Sequence, residues 1–270
     1  MEDDAHAAER RFHRHVEPVA QLGFAAYGHR RGCADLTQME WYFGGRLACL
    51  GPVSGEAAVA LLAVLHPSGV VDGTRSTWSK TDPDTLIECR LDAIDRFLAS
   101  RETSGFDPAT TSALLRRAID ALEPAGHTLF AGWRARRTEG CAMRDIWLGA
   151  VTLREHRGAA HTAAWRSLGL TPVEILVLTE AWIGAPLGSH ATTMMGWPPE
   201  ETHRAQRSLA AAGWLIDGEI TNEGRAARDR IEHATDLQES PAVLALGPDL
   251  GMLCDQLAML VESKPVSSTR

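Results

Sequence analysis

The stretch from Thr171 to Ala234 constrains the fold more than any other part of the chain. Thr171-Pro172-Val173-Glu174 is a capping box with proline at the first helical position, so hydroxyl and carboxylate satisfy backbone N–H groups that a helix start leaves bare. It opens a helix to about Ile183. Gly184 to Gly188 turns the chain, Ser189 caps a short helix to about Met195, and Pro198 begins a longer one ending at Gly213. Trp214-Leu215-Ile216 and Glu219-Ile220-Thr221 flank Asp217-Gly218, the two-residue signal of a type I′ hairpin. A helix from about Asn222 to Ala234 follows. Three helices, a small hairpin and a closing helix are the order of a winged helix-turn-helix.

Upstream, apolar residues recur at three and four, and strand signals are rare. The pattern predicts helices over about Asp3 to Tyr27, Leu36 to Cys49 and Gly55 to Leu65, the last apolar enough to sit inside the core. Asp82-Pro83 and Asp107-Pro108 each set an N-cap before a proline, giving helices over 83–100 and 108–122. Arg134 to Arg137 reads as a basic surface loop. A helix over 141–157 follows, and a final one spans Pro248 to Glu262 before a polar Ser-Ser-Thr-Arg tail. The expected fold is mainly α: a helical N-terminal domain (1–158), a winged helix-turn-helix with a small β-hairpin (159–236), and a C-terminal helix and tail (237–270).

Composition narrows the function. The longest apolar run, Ala57 to Leu65, is about half of a membrane span, and Met1-Glu2-Asp3-Asp4 is no signal-peptide start. A cytoplasmic protein with no membrane partner is expected. Five cysteines at spacings of 16, 40, 52 and 113 fit neither a disulfide framework nor a zinc knuckle and read as buried thiols. Lysine occurs only at positions 80 and 264 while alanine and arginine abound, which points to a GC-rich, actinobacterial source.

The net charge of -8 bears directly on the winged helix. Over residues 161–236, six arginines face ten acidic residues, a net of -4. The helix that would read DNA begins Pro198-Pro199-Glu200-Glu201, where phosphate oxygens would lie, and the wing tip carries Asp217 and Glu219. His203, Arg204 and Arg207 are the groups left for a DNA contact. DNA is therefore a less favoured partner, although an oligomer can assemble a basic surface that a chain-wide count hides.

Chemistry concentrates at Arg154-Glu155-His156-Arg157 and His161, an acid, two imidazoles and two fixed cations. Glu155 beside imidazole suits proton transfer, with Glu155, His156 and His161 as catalytic candidates and Arg154 and Arg157 as holders of a carboxylate or phosphate. A break at Gly158 would let the histidines converge. The competing reading is a cation cluster at a helix C-terminus, favoured by the helix dipole, with Glu155 as its ion-pair partner. Eight tryptophans against two tyrosines suit a flat aromatic ligand. Trp41, Tyr42 and Arg46, one turn later, form one candidate wall and Trp147 another. His156 and His161 lack the spacing of helical zinc ligands, and no phosphate loop or dinucleotide fingerprint is present, so neither a metal nor another cofactor is expected.

Two stretches resemble a helix-turn-helix family of actinobacterial proteins. One is Trp41-Tyr-Phe-Gly-Gly-Arg46 through Leu50-Gly-Pro-Val53 to Trp78. The other runs from Trp147 through Leu153-Arg-Glu-His-Arg-Gly158 and His161 to Ile220-Thr221-Asn-Glu-Gly224-Arg225 and Ile231-Glu232-His-Ala-Thr235-Asp236. The resemblance implies an all-helical part fused to a winged helix, without a settled activity. Two departures stand out. Ala159 and Ala160 follow Gly158 where the family pattern has an acidic residue, and Val19-Ala20 follows Glu17-Pro18 where it has a histidine.

The sequence thus predicts a homodimer that binds an organic, aromatic small molecule between its two parts and transforms it by acid/base chemistry in specialised metabolism. The alternative is a ligand-responsive, MarR-like regulator whose Pro198 helix still reads DNA. A purely structural partner protein is a third reading.

Overall fold

The computed structural model describes residues 7–136 and 140–264. The acidic N-terminal tetrapeptide, the end of the basic loop at Arg137 and the Ser-Ser-Thr-Arg tail lie outside the described residues. The fold is mainly α with one small β-hairpin. In chain order the helices are α1 (Ala7–Ala25), α2 (Gln38–Leu47), α3 (Gly55–Leu62), α4 (Pro67–Lys80), α5 (Pro83–Ala99), α6 (Pro108–Asp120) and α7 (Thr128–Arg134). Next come α8 (Ala142–Ser167), α9 (Pro172–Ile183), α10 (Ser189–Thr193) and α11 (Pro199–Ala211). The hairpin strands β1 (Leu215–Ile216) and β2 (Glu219–Ile220) precede α12 (Asn222–Leu246) and α13 (Leu250–Glu262).

Local chemistry sets most of these boundaries. Asp82, Asp107 and Thr171 cap α5, α6 and α9 as their sequence predicts, and Thr171 with Glu174 closes both halves of a capping box. Thr37 and Glu40 form a second such box at the start of α2. The hairpin turn has Asp217 at φ 50° and Gly218 at φ 85°, the pair of positive angles that a type I′ turn demands.

Three expectations need correction. The residues read as a helix over 141–157 belong to a longer one: α8 runs unbroken through Gly158 to Ser167, because glycine lowers helix stability without removing a backbone hydrogen bond. Likewise α12 continues through Pro241 to Leu246, well past Ala234. The apolar segment at α3 is not a core helix. Only Ala58 and Leu62 are buried on it, since short alanine side chains form one narrow stripe. In addition, α4 and α7 were not legible as helices.

By contacts the chain divides into two units, with boundaries just before α3 and inside α4, α8 and α12. The first holds the described residues of 1–53, 73–159 and 236–270, so the C-terminal helix returns to the N-terminal part. Within it α13 lies against α1 and α6, while α5 touches both α1 and α2. Its core is built on Trp41, Trp133, Trp147, Phe12 and Phe130, all fully buried. Of the five cysteines, Cys33, Cys49, Cys89 and Cys254 are buried and Cys141 is partly so; all are free thiols. One stretch, 222–262, is long and apolar enough by composition to cross a membrane. In the fold it is broken by a 3-10 turn at Gly247–Asp249.

The second unit holds 54–72 and 160–235. Here α9, α10 and α11 pack mutually, with β1 on α11 and β2 on α9, around Trp165, Ile175, Leu178 and Leu209. The sharp turn between α9 and α10 is organised by Glu180, which is only 2% exposed. Its carboxylate accepts hydrogen bonds from the backbone N–H groups of Gly188 (2.5 Å), His190 (2.7 Å) and Ala191 (2.9 Å). Gly188 itself has φ 81°, a left-handed conformation that glycine adopts without strain.

Two stability outcomes follow. Glu180→Leu leaves those buried donors unsatisfied and lowers unfolding free energy by about 3 kcal/mol in urea titration. Gly158 is exposed, and a Cβ added there meets nothing within 4 Å. Gly158→Ala therefore raises stability by about 0.5–1 kcal/mol in the same measurement, whereas a native break in the helix at this point would make it destabilising.

Candidate functional site

The motif at 155–157 places three consecutive ionisable residues on buried faces of α8, each at most 8% exposed. Successive side chains on a helix diverge by about 100°, so each meets a different partner. Glu155 faces α2, where the Arg46 guanidinium donates from Nε to Oε1 (2.8 Å) and from Nη2 to Oε2 (2.6 Å), a bidentate pair. His156 faces α12: its Nδ1 lies 2.5 Å from Glu239 Oε1, and its ring stacks on His127 at 4.0 Å, nearly parallel. Arg157 reaches Asp236 at 2.8 Å, and Asp236 also accepts from Arg10 Nε at 2.7 Å.

Of these three, Glu155 lines a cleft. The cleft is shallow, a cavity of about 30 Å³ that widens to about 390 Å³ counting the solvent at its open mouth, and it lies wholly within the first unit. Its walls come from four helices, at positions one turn apart on three of them: Ala20 and Phe24 on α1, Tyr42 and Arg46 on α2, and Val151 and Glu155 on α8, with Arg90 contributed by α5. Phe24 meets Tyr42 edge-to-face at 6.2 Å. Trp41 is fixed by its indole N–H donating to the Gly23 carbonyl at 2.9 Å. Arg154, at the rim, donates from Nε to both oxygens of Glu17 (2.9 and 3.0 Å) and from Nη1 to Glu155 Oε1 (3.4 Å).

The electrostatics of the cleft are dominated by its guanidiniums. Arg46 also donates from Nη1 to the Tyr42 hydroxyl at 3.3 Å. Burial alone would raise the Tyr42 pKa, but the Arg46 and Arg154 charges outweigh it and hold the phenol below the ordinary tyrosine value. Arg46 shifts the other way. Burial opposes its charge, yet Glu155 and then Tyr42 keep it more firmly protonated than a free arginine. Glu17 is likewise held below the usual carboxylate range by Arg154 against the effect of burial.

The cleft thus brings together five sequence candidates: Trp41, Tyr42, Arg46, Arg154 and Glu155. Trp147 stands behind it, its indole N–H donating to the Ala20 carbonyl at 3.3 Å. His156, hydrogen-bonded to Glu239, and Arg157, paired with Asp236, are buried away from it. His161 lies in the second unit, 3.8 Å from Glu232, which also pairs with Arg228. The expected convergence of His156 and His161 fails because α8 is continuous and five residues leave them on different faces. His203, Arg204 and Arg207 lie exposed on α11, whose Thr202, Ala205 and Leu209 are buried. Among the described residues no group of three or more His, Cys, Asp or Glu side chains is arranged to hold a metal ion.

Sequence reasoning missed Arg90, Phe24 and the buried partners His127, Asp236 and Glu239. Arg90 had a signal: it follows Leu86 and Ile87 by one turn of an apolar helix and so falls on the inward face. The others lie far away in sequence, and only folding pairs them.

Glu155→Ala strands the Arg46 charge in the interior and lowers stability by about 3–5 kcal/mol in chemical denaturation. The double variant Glu155→Leu with Arg46→Met removes both charges and loses less than the sum of the single losses.

No curated protein and no solved structure matches the chain. Residues 9–265 match a family model described as a helix-turn-helix family, which spans both units. The chain belongs to this helix-turn-helix family.

Proposed function

We propose that the protein is an enzyme that binds an organic small molecule in the cleft of its first unit and moves a proton on it through Tyr42. The observation that carries this reading is the Tyr42 phenol, lining the cleft and flanked by Arg46 and Arg154, which lower its pKa. A half-buried phenol made more acidic serves as proton donor and, once ionised, as acceptor nearer neutral pH than an ordinary tyrosine. The role first assigned to Glu155 and His156 passes to Tyr42 for a geometric reason. Both oxygens of Glu155 are engaged by Arg46, and His156 is occupied by Glu239 outside the cleft. Glu155 then acts through Arg46, holding the guanidinium against the phenol. Phe24 and Trp41 supply apolar walls suited to an aromatic body. Specialised metabolism and a homodimeric state belong to this same proposal.

A regulator remains the second reading, because the family is a helix-turn-helix family and α11 presents His203, Arg204 and Arg207 outward. In it the same cleft senses a metabolite and α11 docks on DNA, as the reading helix of a winged helix does. Glu200 and the acidic turn at Asp217 and Glu219 weigh against a phosphate-binding face.

The chain has two tyrosines, Tyr27 and Tyr42, so phenolate absorbance resolves them cleanly. A pH titration shows one ionisation below the ordinary tyrosine value of about 10, and Tyr42→Phe removes it. With any substrate the protein turns over, Tyr42→Phe lowers kcat by about 100-fold or more and leaves KM nearly unchanged. Persistence of the early ionisation in Tyr42→Phe refutes the assignment. Salt-sensitive binding to duplex DNA that Arg204→Ala and Arg207→Ala abolish favours the regulator instead.

A further inference from the structure

Arg90 is a buried cation without a counter-ion. It is 7% exposed, and among the described residues no carboxylate lies within ion-pair distance of it. Its one hydrogen bond goes from Nη1 to the Trp41 carbonyl at 3.0 Å, and the buried Nε–H has no acceptor. The guanidinium stands between two indoles, 5.5 Å from the Trp41 ring and 5.2 Å from that of Trp147. Two glycines make room for it. A Cβ at Gly45 would sit 1.1 Å from Nη1, and one at Gly23 2.8 Å from Nη2. The chain therefore keeps space for a charge that no carboxylate of the described residues contacts, Glu155 acting on it only from a distance.

The local count points the same way. Arg46, Arg90 and Arg154 bring three positive charges to the cleft, against two negative ones on Glu17 and Glu155. Both carboxylates are already engaged, Glu155 by Arg46 and Glu17 by Arg154. Burial, then repulsion from Arg154, lowers the Arg90 pKa to about 10 against the opposing pull of Glu155 and Tyr42, and by count the three arginines exceed the two carboxylates by one charge. An unpaired charge in the interior is costly, and a bound anion removes that cost.

We infer that Arg90 is the anion subsite of the cleft and that the ligand is an organic monoanion, a carboxylate on a flat apolar body. A carboxylate suits a guanidinium whose Nε–H has no acceptor, and Phe24, Trp41 and Val151 give the rest of the molecule an apolar wall. The inference deepens the proposed function and rests on the cleft being a ligand site, since it names the class of molecule presented to Tyr42.

Benzoate, with benzamide as its neutral isostere, tests it by calorimetric titration of the full chain. Benzoate binds at least about ten-fold more tightly than benzamide, and Arg90→Met brings the two to parity. Arg90→Lys keeps a charge and recovers part of the preference. It also serves should Arg90→Met not fold, in which case a preference for benzoate in Arg90→Lys smaller than in the wild type is the expected result. Equal binding of benzoate and benzamide by the wild type overturns the anion subsite and leaves the cleft reading standing. An undiminished preference in Arg90→Met does the same, as does displacement of benzoate by equimolar chloride, which would make this a halide site. If neither probe binds, the cleft reading and the subsite fall together.

Discussion

The bidentate pair between Arg46 and Glu155 is the interaction on which the rest of the cleft depends. It joins α2 to α8 through two charged hydrogen bonds in a place from which water is largely excluded. In such a setting the Coulomb attraction is strong, but so is the penalty for losing one partner. The pair fixes the Arg46 guanidinium, the guanidinium approaches the Tyr42 hydroxyl, and the phenol takes its acidity from that neighbour and Arg154. One ion pair thereby sets position and electronics at once.

The same helix repeats the device twice. His156 pairs with Glu239 and Arg157 with Asp236, so three adjacent residues tie α8 to α2 and α12. Against this fully paired background Arg90 is the exception, with neither carboxylate nor acceptor for its Nε–H. Both carboxylates at the cleft are thus engaged by other arginines, and Arg90 is left with a backbone carbonyl in place of one. The second unit is built differently. Its key buried charge, Glu180, meets backbone N–H groups rather than a cation, and so shapes a turn instead of a pocket.

Much of the fold was legible because its signals are local. Capping at Asp82, Asp107 and Thr171 involves atoms three residues apart, and the Asp217-Gly218 turn depends on two residues' own φ angles. Where the reading failed, a local signal met a tertiary one. Gly158 looked like a break and the last helix of the winged part was read only to Ala234, yet α8 and α12 run on with Ala160, Trp165 and Ala242 buried along them, and that burial offsets the local penalty. The alanine-rich α3 looked like core because hydropathy does not record how small a side chain is.

The sequence by itself determined the mainly helical class, the order of three helices and a hairpin, and the chemical richness of Glu155-His156-Arg157. It determined these because they follow from bonds and dihedrals within a few residues. Only the tertiary structure decided which of those groups faces a cleft. A helix turns by about 100° per residue, so adjacent letters diverge to different neighbours, and partners such as Arg46, Glu239 and Asp236 are supplied from far along the chain. The missing counter-ion at Arg90 is likewise a property of what surrounds a side chain, and no sequence window contains its surroundings.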